Sequence, residues 1–212
     1  MIGTIQLDFE RALARPGRLL MPLLTFLAPV LLLPMLSVHT QIDNAGRTVV
    51  IWLLMAMAMA AMIDDVLTED WRCYWPDAWV AAGQALWIYV FGKMLATTLL
   101  RVLPLGIVLW LGGIFWGVRP DPAIALSLCL LAPGLSAGLL IVAIIGINAS
   151  RVQALAPVLI VPLTAAPLMM GINASLDPNT PLFVLITAWT LLQMLVLVPL
   201  GTFLLHLWIA ER

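Results

Sequence analysis

The chain has 212 residues, of which 63% are hydrophobic and only 10% are charged, and its mean hydropathy is +1.09. About a quarter of the residues of a soluble globular domain are charged, so this composition excludes that class and predicts an integral membrane protein. The net charge of −1 gives no indication of nucleic-acid binding. The two cysteines, Cys73 and Cys129, are far apart and lack the spacing of metal ligands.

The N-terminal segment MIGTIQLDFERALARPGRLL leads into the first apolar run. Its acidic residues precede its basic ones, and no small-residue cleavage motif follows the apolar run. A secretory signal peptide has the opposite charge order and such a motif. We therefore expect the first apolar run to remain in the protein as a membrane span.

Six apolar stretches each approach the roughly 20 residues that a helix needs to cross a hydrocarbon core of about 30 Å. Groups of Pro, Asn and Asp separate them, as is typical of turns. We predict an all-α, single-domain membrane protein over residues 1–212, with six spans and an amphipathic cytoplasmic segment between the second and the third. The predicted spans cover about residues 19–38, 48–64, 87–116, 123–147, 152–172 and 181–209.

The distribution of Lys and Arg predicts the orientation, because loops on the cytoplasmic side carry an excess of these residues. An N-terminus in the cytoplasm leaves only Arg47 and Arg119 on the opposite side. Both termini are therefore expected in the cytoplasm. The basic residues then on the cytoplasmic side are Arg11, Arg15, Arg18, Arg72, Lys93, Arg151 and Arg212.

Charge is concentrated between the second and third predicted spans, over about residues 64–86, a segment named here the insert. Charged side chains are costly in hydrocarbon, so the insert is expected to lie at the cytoplasmic surface of the membrane. Pro76 suits the start of a helix, which predicts two short amphipathic helices, about 64–74 and 76–85, meeting at Trp75-Pro76. The insert contains five of the eleven acidic residues, namely Asp64, Asp65, Glu69, Asp70 and Asp77.

Two interpretations of the insert are open. In one, it is an interfacial helix pair with its tryptophans, spaced four residues apart, in the lipid headgroups and its acids in water. In the other, it is a docking surface for a cytoplasmic partner. The candidate docking residues are Glu69, Asp70, Trp71, Trp75, Asp77 and Trp79.

The third predicted span is expected to enter the bilayer near Lys93, with the segment from Trp87 to Tyr89 at the interface. Arg101 is the only charged residue well inside a predicted span, roughly 12 Å deeper than Lys93. It either lines a polar path, together with Thr97 one turn earlier, or extends its long side chain back to the interface.

Prolines are expected to disturb the fifth predicted span. Pro157, Pro162 and Pro167 punctuate the fifth, which should be kinked or locally unwound, and Pro104 lies in the third. A structural kink is one interpretation, and a moving element of a transport cycle is the other.

The sequence contains no Gly-rich phosphate loop and no hydrolase or metalloprotease motif. No catalytic residues and no metal site are predicted, and any ATP hydrolysis would occur in a separate subunit. His39 and His206 are predicted on opposite sides of the membrane, which does not favour ligation of a heme or metal ion by the pair.

Three stretches carry a resemblance to a known family. They are Glu69-Asp70 with Asp77, then Phe91-Gly92-Lys93 through Leu103-Pro104-Leu105, and finally Leu131-Ala132-Pro133-Gly134 through Val161-Pro162 to Pro167-Leu168. With the order of elements, they resemble the CcmB family, the permease subunit of the heme-exporter ABC complex in system I cytochrome c maturation. The chain departs from the family pattern at Cys73-Tyr74-Trp75-Pro76-Asp77 and at Gly83-Gln84-Ala85-Leu86-Trp87.

The resemblance implies a bacterial inner-membrane permease that binds no cofactor directly, with heme as the cargo of the complex. It also implies a CcmA-like ATPase subunit that holds ATP and docks on the insert, and CcmC-like and CcmD-like membrane subunits. A permease homodimer and contact with membrane lipid are further expectations. The alternatives are an ABC-2-type permease for a lipid, glycan or drug, and a structural or assembly protein without a transport role.

Overall fold

The computed structural model of the chain describes residues 2–14, 17, 23–24, 27–32, 43–115, 122–147, 163–174 and 182–211. Helix is the only regular secondary structure within these ranges, which confirms the all-α prediction. The helices, numbered in chain order, are α1 (Ile2–Ala14), α2 (Asn44–Ala61), α3 (Ile63–Arg72), α4 (Trp75–Ala81), α5 (Leu86–Thr97), α6 (Leu103–Phe115), α7 (Pro122–Gly146), α8 (Leu163–Ala174) and α9 (Leu182–Ala210).

Four helical stretches are long and apolar enough to cross a membrane, as judged by length and composition. They are Gly46–Arg72, Leu86–Gly112, Ala125–Gly146 and Phe183–Ala210, and they correspond to the second, third, fourth and sixth predicted spans. These helices support the prediction of a membrane protein. Most of the first predicted span, and residues 152–162 of the fifth, lie outside the described residues, so the total of six spans stays a prediction.

Helix α7 is the centre of the described bundle. Helices α3, α5, α6 and α9 all pack against it. In its most apolar stretch 78% of the residues are buried, compared with 22% for α9, whose remaining surface is free to face lipid. Close packing depends on glycine at Gly171, where a Cβ atom would collide with the Trp52 ring.

A π-helical turn, Thr98–Val102, joins α5 to α6, and Pro104 lies two residues after its end. Proline has no N–H group to donate and its ring crowds the carbonyl four residues earlier, so a regular α-helix cannot continue through it undisturbed. The helix instead becomes wider over this one turn, where the Leu103 N–H group donates to the Thr98 carbonyl five residues before it. Such turns are rare and are frequent at functional sites.

Pro167 disturbs the bundle less than the sequence suggests. Helix α8 continues through it as a helix, so local unwinding at this residue is wrong. Pro167 leaves the Leu163 carbonyl without its usual helical donor. The side chain of Gln193 on α9 replaces that donor, with Nε2 3.0 Å from the Leu163 oxygen. Pro157 and Pro162 lie outside the described residues.

Candidate functional site: a buried charge cluster beside the insert

The first helix of the insert, α3, is amphipathic as predicted, but its buried face carries a charged residue as well as apolar ones. Val66 and Leu67 are each 1% exposed, and α3 packs against α7. Asp70 lies three and four residues further along, so helical spacing brings it to the same face. Its side chain is 2% exposed. The interfacial interpretation of the insert places its acids in water, and this is wrong for Asp70.

The two helices of the insert meet two residues earlier than predicted. Helix α3 ends at Arg72 and α4 begins at Trp75, so the junction is Cys73-Tyr74 and not Trp75-Pro76. Proline is tolerated in the first turn of a helix, where its missing N–H group has no intrahelical partner, and Pro76 therefore lies inside α4. The reversal is made by Tyr74, whose φ of 54° is left-handed and sparsely populated by residues other than glycine.

Asp70 is the centre of a group of buried and partly buried polar side chains, named here the charge cluster. Its members are Asp8, Arg11, Asp70, Tyr89 and Lys93. The Asp70 Oδ2 atom accepts a hydrogen bond from the Tyr89 hydroxyl at 2.6 Å and lies 2.7 Å from Lys93 Nζ. The Asp70 Oδ1 atom accepts a hydrogen bond from Arg11 Nη1. Lys93 Nζ also donates to Asp8 Oδ1 at 2.6 Å.

The charge cluster is electrically balanced, and each half of it is balanced separately. Asp8 and Arg11 belong to α1, and the Arg11 Nη1 atom lies 4.0 Å from the Asp8 Oδ1 atom. Asp70 belongs to α3 and Lys93 to α5. A buried charge is tolerated when it is paired and hydrogen-bonded, and removal of one partner is strongly destabilising. Here α1 adds one negative and one positive group to a pair that already neutralises itself.

The environment of the cluster changes the pKa of the two α1 residues. Burial raises the pKa of the Asp8 carboxyl above its usual value, and the neighbouring Lys93 ammonium only partly opposes this effect. For Arg11, burial favours a lower pKa, but the hydrogen bond to Asp70 and the negative charges of Asp70, Asp8 and Glu69 together outweigh it, so the pKa is raised. Arg11 is thus cationic at every physiological pH, and Asp8 is the member of α1 whose charge is easier to remove.

The other predicted docking residues take two kinds of position. Trp71, Trp75 and Trp79 are half-buried and pack against the hydrophobic core. Glu69 and Asp77 are half-buried. Of the three acids among the candidate docking residues, only Glu69 and Asp77 therefore have side chains that a partner could reach.

Trp79 and Trp87 differ in their contacts and in their exposure. The Trp79 ring lies 6.0 Å from the Tyr89 ring, measured between centroids, and its Nε1 atom donates to the Ala85 carbonyl at 3.2 Å. Trp87 is 56% exposed, as an interfacial side chain can be. Tyr89, expected in the same interfacial segment, points into the protein and is 1% exposed.

The two polar residues of the third predicted span, Thr97 and Arg101, make separate contacts in the structure. The Thr97 hydroxyl is buried and donates to the Lys93 carbonyl at 2.9 Å. The Arg101 Nη1 atom lies 3.3 Å from the carbonyl oxygen of Met62, the residue between α2 and α3. Arg101 therefore links the π-helical turn to the start of the insert, and its role as a path-lining or interface-seeking side chain stays a prediction.

A small apolar cavity of about 80 Å³ lies between α2, α6 and α7, with Met55, Trp110 and Cys129 among the residues that line it. Sites for drug-sized ligands measure roughly 300–1,000 Å³, so this cavity does not fit a cargo of that size. Within the described part of the chain, no group of three or more His, Cys, Asp or Glu residues could hold a metal ion. His206 is exposed on α9, and His39 lies outside the described residues.

No family model matches the chain, and no curated protein matches it.

Sequence analysis identified Asp70 and Lys93 as candidates but missed Asp8, Arg11 and Tyr89. One signal was present: Asp8 and Arg11 are three residues apart in a short helix, as an ion pair on one face would be. A second was Lys93, which needs a counter-ion at the edge of a membrane span. Neither signal identifies the partner, because α1 and α5 are far apart in the sequence.

Proposed function

We propose that this chain is the membrane-spanning permease subunit of an ABC transporter complex, in which a separate ATPase subunit docks on the insert. The observation that supports this proposal best is the charge cluster. It fastens α3, which precedes α4, to α5, which follows it, through the contacts of Asp70 with Tyr89 and Lys93. A segment that receives force from a partner must be fixed to the helices that it moves.

The geometry of the insert is suited to this role. Its turn ends in Tyr74, a 62% exposed aromatic side chain, with Arg72 and Cys73 exposed beside it. Force applied at this turn passes to α3 on one side, and through α4 to α5 on the other. Both α3 and α5 belong to stretches long enough to cross the membrane. The turn of the insert is thus exposed at Tyr74, and the insert is fixed to the bundle on both sides of this turn.

The proposed cargo is heme, delivered for the biogenesis of c-type cytochromes, in the inner membrane of a bacterium and with both termini in the cytoplasm. This part of the proposal rests on the resemblance of the three stretches to the CcmB family and on the Lys/Arg distribution. The corresponding partners are a CcmA-like ATPase and CcmC-like and CcmD-like membrane subunits.

Two experiments separate the parts of the proposal. The tagged chain is purified from its native membranes and the accompanying proteins are identified; recovery of an ATPase subunit is expected, and its absence would rule out a permease of this class. The gene is then deleted and the membranes are stained for covalent heme. Loss of c-type cytochromes is expected. Unchanged cytochromes, with the ATPase still recovered, would assign the chain to an ABC-2-type permease for another cargo.

A further inference from the structure

We propose that the candidate spans Gly46–Arg72 and Leu86–Gly112 bend together at one shared hinge, formed by Met62 and the π-helical turn Thr98–Val102 and linked by Arg101. The insert lies on one side of this hinge, and on the other side α2 and α6 pack against each other. A movement of the insert therefore bends both spans at the same level. This inference goes beyond the proposed permease function, since it depends on neither an ATPase nor a cargo.

The first of these two spans is interrupted at Met62, the residue that ends α2 and precedes α3. The Met62 N–H group donates to the Met59 carbonyl, three residues earlier, at 3.1 Å. Such a bond winds the chain more tightly than an α-helix for one turn. The regular series of helical bonds is therefore broken between α2 and α3, although the two helices follow one another without a loop.

The second of these spans is weakened by several features in consecutive turns. Just before and within the π-helical turn, the hydroxyls of Thr97 and Thr98 each donate to the carbonyl four residues earlier at 2.9 Å. Threonine bonds of this kind tend to bend helices. Pro104 follows, and sharp bends in helices occur mainly at prolines and π-helical turns. This is the place where the third span bends most easily.

Two contacts place the two breaks at the same level. The Arg101 Nη1 atom lies 3.3 Å from the Met62 oxygen, and Lys93 Nζ lies 2.7 Å from Asp70 Oδ2. Asp70 follows Met62 by eight residues, and Lys93 precedes Arg101 by eight. Both separations correspond to about 12 Å of helix, so α3 runs antiparallel to the third span and is bonded to it at both ends. Bending of one span alone would break the bond between Arg101 and Met62.

Helix α7 is also weakened at this level. It begins shortly after α6 ends in the sequence and packs against it, so the two helices run in opposite directions. Leu128 on α7 lies beside Gly106 on α6. Pro133 is five residues beyond Leu128, and Arg101 is five residues before Gly106, which puts Pro133 level with Arg101. A proline inside a helix removes one backbone bond, so the central helix can bend where the two spans do.

The apolar cavity of about 80 Å³ adjoins the hinge and supplies space for the movement. Val102 and Leu103, at the end of the π-helical turn, line it together with Met55 of α2. Protein interiors are close-packed, so side chains at a bend need free volume into which they can move. The cavity provides that volume on the side of the hinge away from the insert.

Pulsed electron–electron resonance between pairs of spin labels tests the proposal in the full chain, reconstituted in vesicles of phosphatidylcholine and phosphatidylglycerol. Cys73 and Cys129 are first replaced by Ser. Each pair then takes exposed positions on either side of the feature under test. The second-span pair is Leu53→Cys with Thr68→Cys, the third-span pair is Trp87→Cys with Ile114→Cys, and the reference pair, within the unbroken first part of α9, is Val184→Cys with Val196→Cys.

We expect the distance distributions of the second-span and third-span pairs to be about twice as wide as that of the reference pair, because a hinge adds a motion that a continuous helix lacks. Distributions as narrow as the reference in both spans would overturn the proposal. The reference pair also reports, in every variant, whether the bundle is folded.

Pro104→Ala tests whether the hinge is shared. It restores an N–H group to the third span, so the turn can close as a regular helix and the third-span distribution should become narrower. The second-span distribution should become narrower as well, although the substitution lies in the other span, and this effect should disappear when Arg101→Leu is also present. Pro199→Ala in α9 is the matched control and should change neither pair. A second-span distribution that Pro104→Ala leaves unchanged would show two independent bends and overturn the proposal, as would a third-span distribution that it leaves unchanged.

Discussion

Lys93 follows Asp8 by 85 residues, yet its Nζ atom lies 2.6 Å from the Asp8 Oδ1 atom. The same ammonium group is 2.7 Å from Asp70 Oδ2, so one cation serves two carboxylates from two different helices. This relationship joins the N-terminal helix, the first helix of the insert and the start of a candidate span. The stability of the whole end of the bundle should therefore depend on Lys93.

Replacing Lys93 by Met is expected to destabilise the fold by about 3–5 kcal/mol, because it leaves Asp8 and Asp70 close together without their shared cation. Asp70→Asn alone should also be destabilising. The double variant should cost clearly less than the sum of the two, since Asp8 and Arg11 then remain as a neutral pair. Thermal unfolding in detergent measures the three effects, and Arg72→Met, at an exposed cation, is the matched control. Additive losses would contradict the coupling.

The raised pKa of Asp8 predicts a specific pH dependence. In the folded state its pKa lies above the usual value of 3.8, so the folded protein binds the proton more tightly than the unfolded chain. The contribution of Asp8 to stability is thus fully present below 3.8 and is lost as the pH rises through the raised pKa.

The Asp8→Asn variant isolates this contribution. The difference in unfolding free energy, native chain minus variant, should change in favour of the native chain as the pH falls from neutral towards 3.8. Glu10→Gln, which removes an exposed acid of the same helix, is the control for the loss of a carboxylate. A difference that grows as the pH rises would show that the pKa of Asp8 is lowered.

The bond from Gln193 to the Leu163 carbonyl should matter only because Pro167 supplies no N–H group. Gln193→Leu is expected to cost about 1 kcal/mol, the scale of hydrogen bonds between membrane helices. In a Pro167→Ala background the same change should cost less, because the restored backbone N–H group can donate to the carbonyl from within α8. A double-mutant cycle of thermal stability measures the coupling. An equal cost in both backgrounds would contradict this explanation of Gln193.

Arg101→Leu is expected to lower stability by about 1 kcal/mol through loss of the hydrogen bond to the Met62 carbonyl. Arg101→Lys should retain most of that stability, since an ammonium group can also donate to a carbonyl. The transport activity of the complex then separates the two interpretations of this residue. If Arg101 lines a path, the Leu variant should be inactive. If its side chain only extends to the interface, the Leu variant should stay active. Equal stability of the Leu variant and the native chain would contradict the bond to Met62.

The sequence predicted the features that depend on composition and local pattern. The four apolar stretches that the structure describes as long helices, the amphipathic α3 and a second insert helix with Pro76 in its first turn follow from hydropathy, periodicity and proline chemistry. The total of six spans and the docking role of the insert remain predictions.

The features that the sequence did not predict depend on tertiary contacts. Acids near a membrane surface are normally assigned to water, and only the structure shows that Asp70 is covered by α1 and α5. Similarly, the π-helical turn before Pro104 and the replacement of a lost helical donor by Gln193 arise from how neighbouring helices pack. No periodicity in a single segment reports such contacts.

The central claim, that an ATPase subunit docks on the insert, is tested most directly by reversing charge on the accessible part of that surface. Asp70 is unsuitable because it is buried in the charge cluster, so the informative variant is Glu69→Lys with Asp77→Lys. Glu211→Lys, at an exposed acid after α9, is the matched control. The measurement is the amount of ATPase subunit recovered with the tagged chain from native membranes. The account predicts a clear loss of the ATPase in the double variant, with normal membrane insertion and normal recovery in the control. Undiminished recovery with the double variant would contradict it.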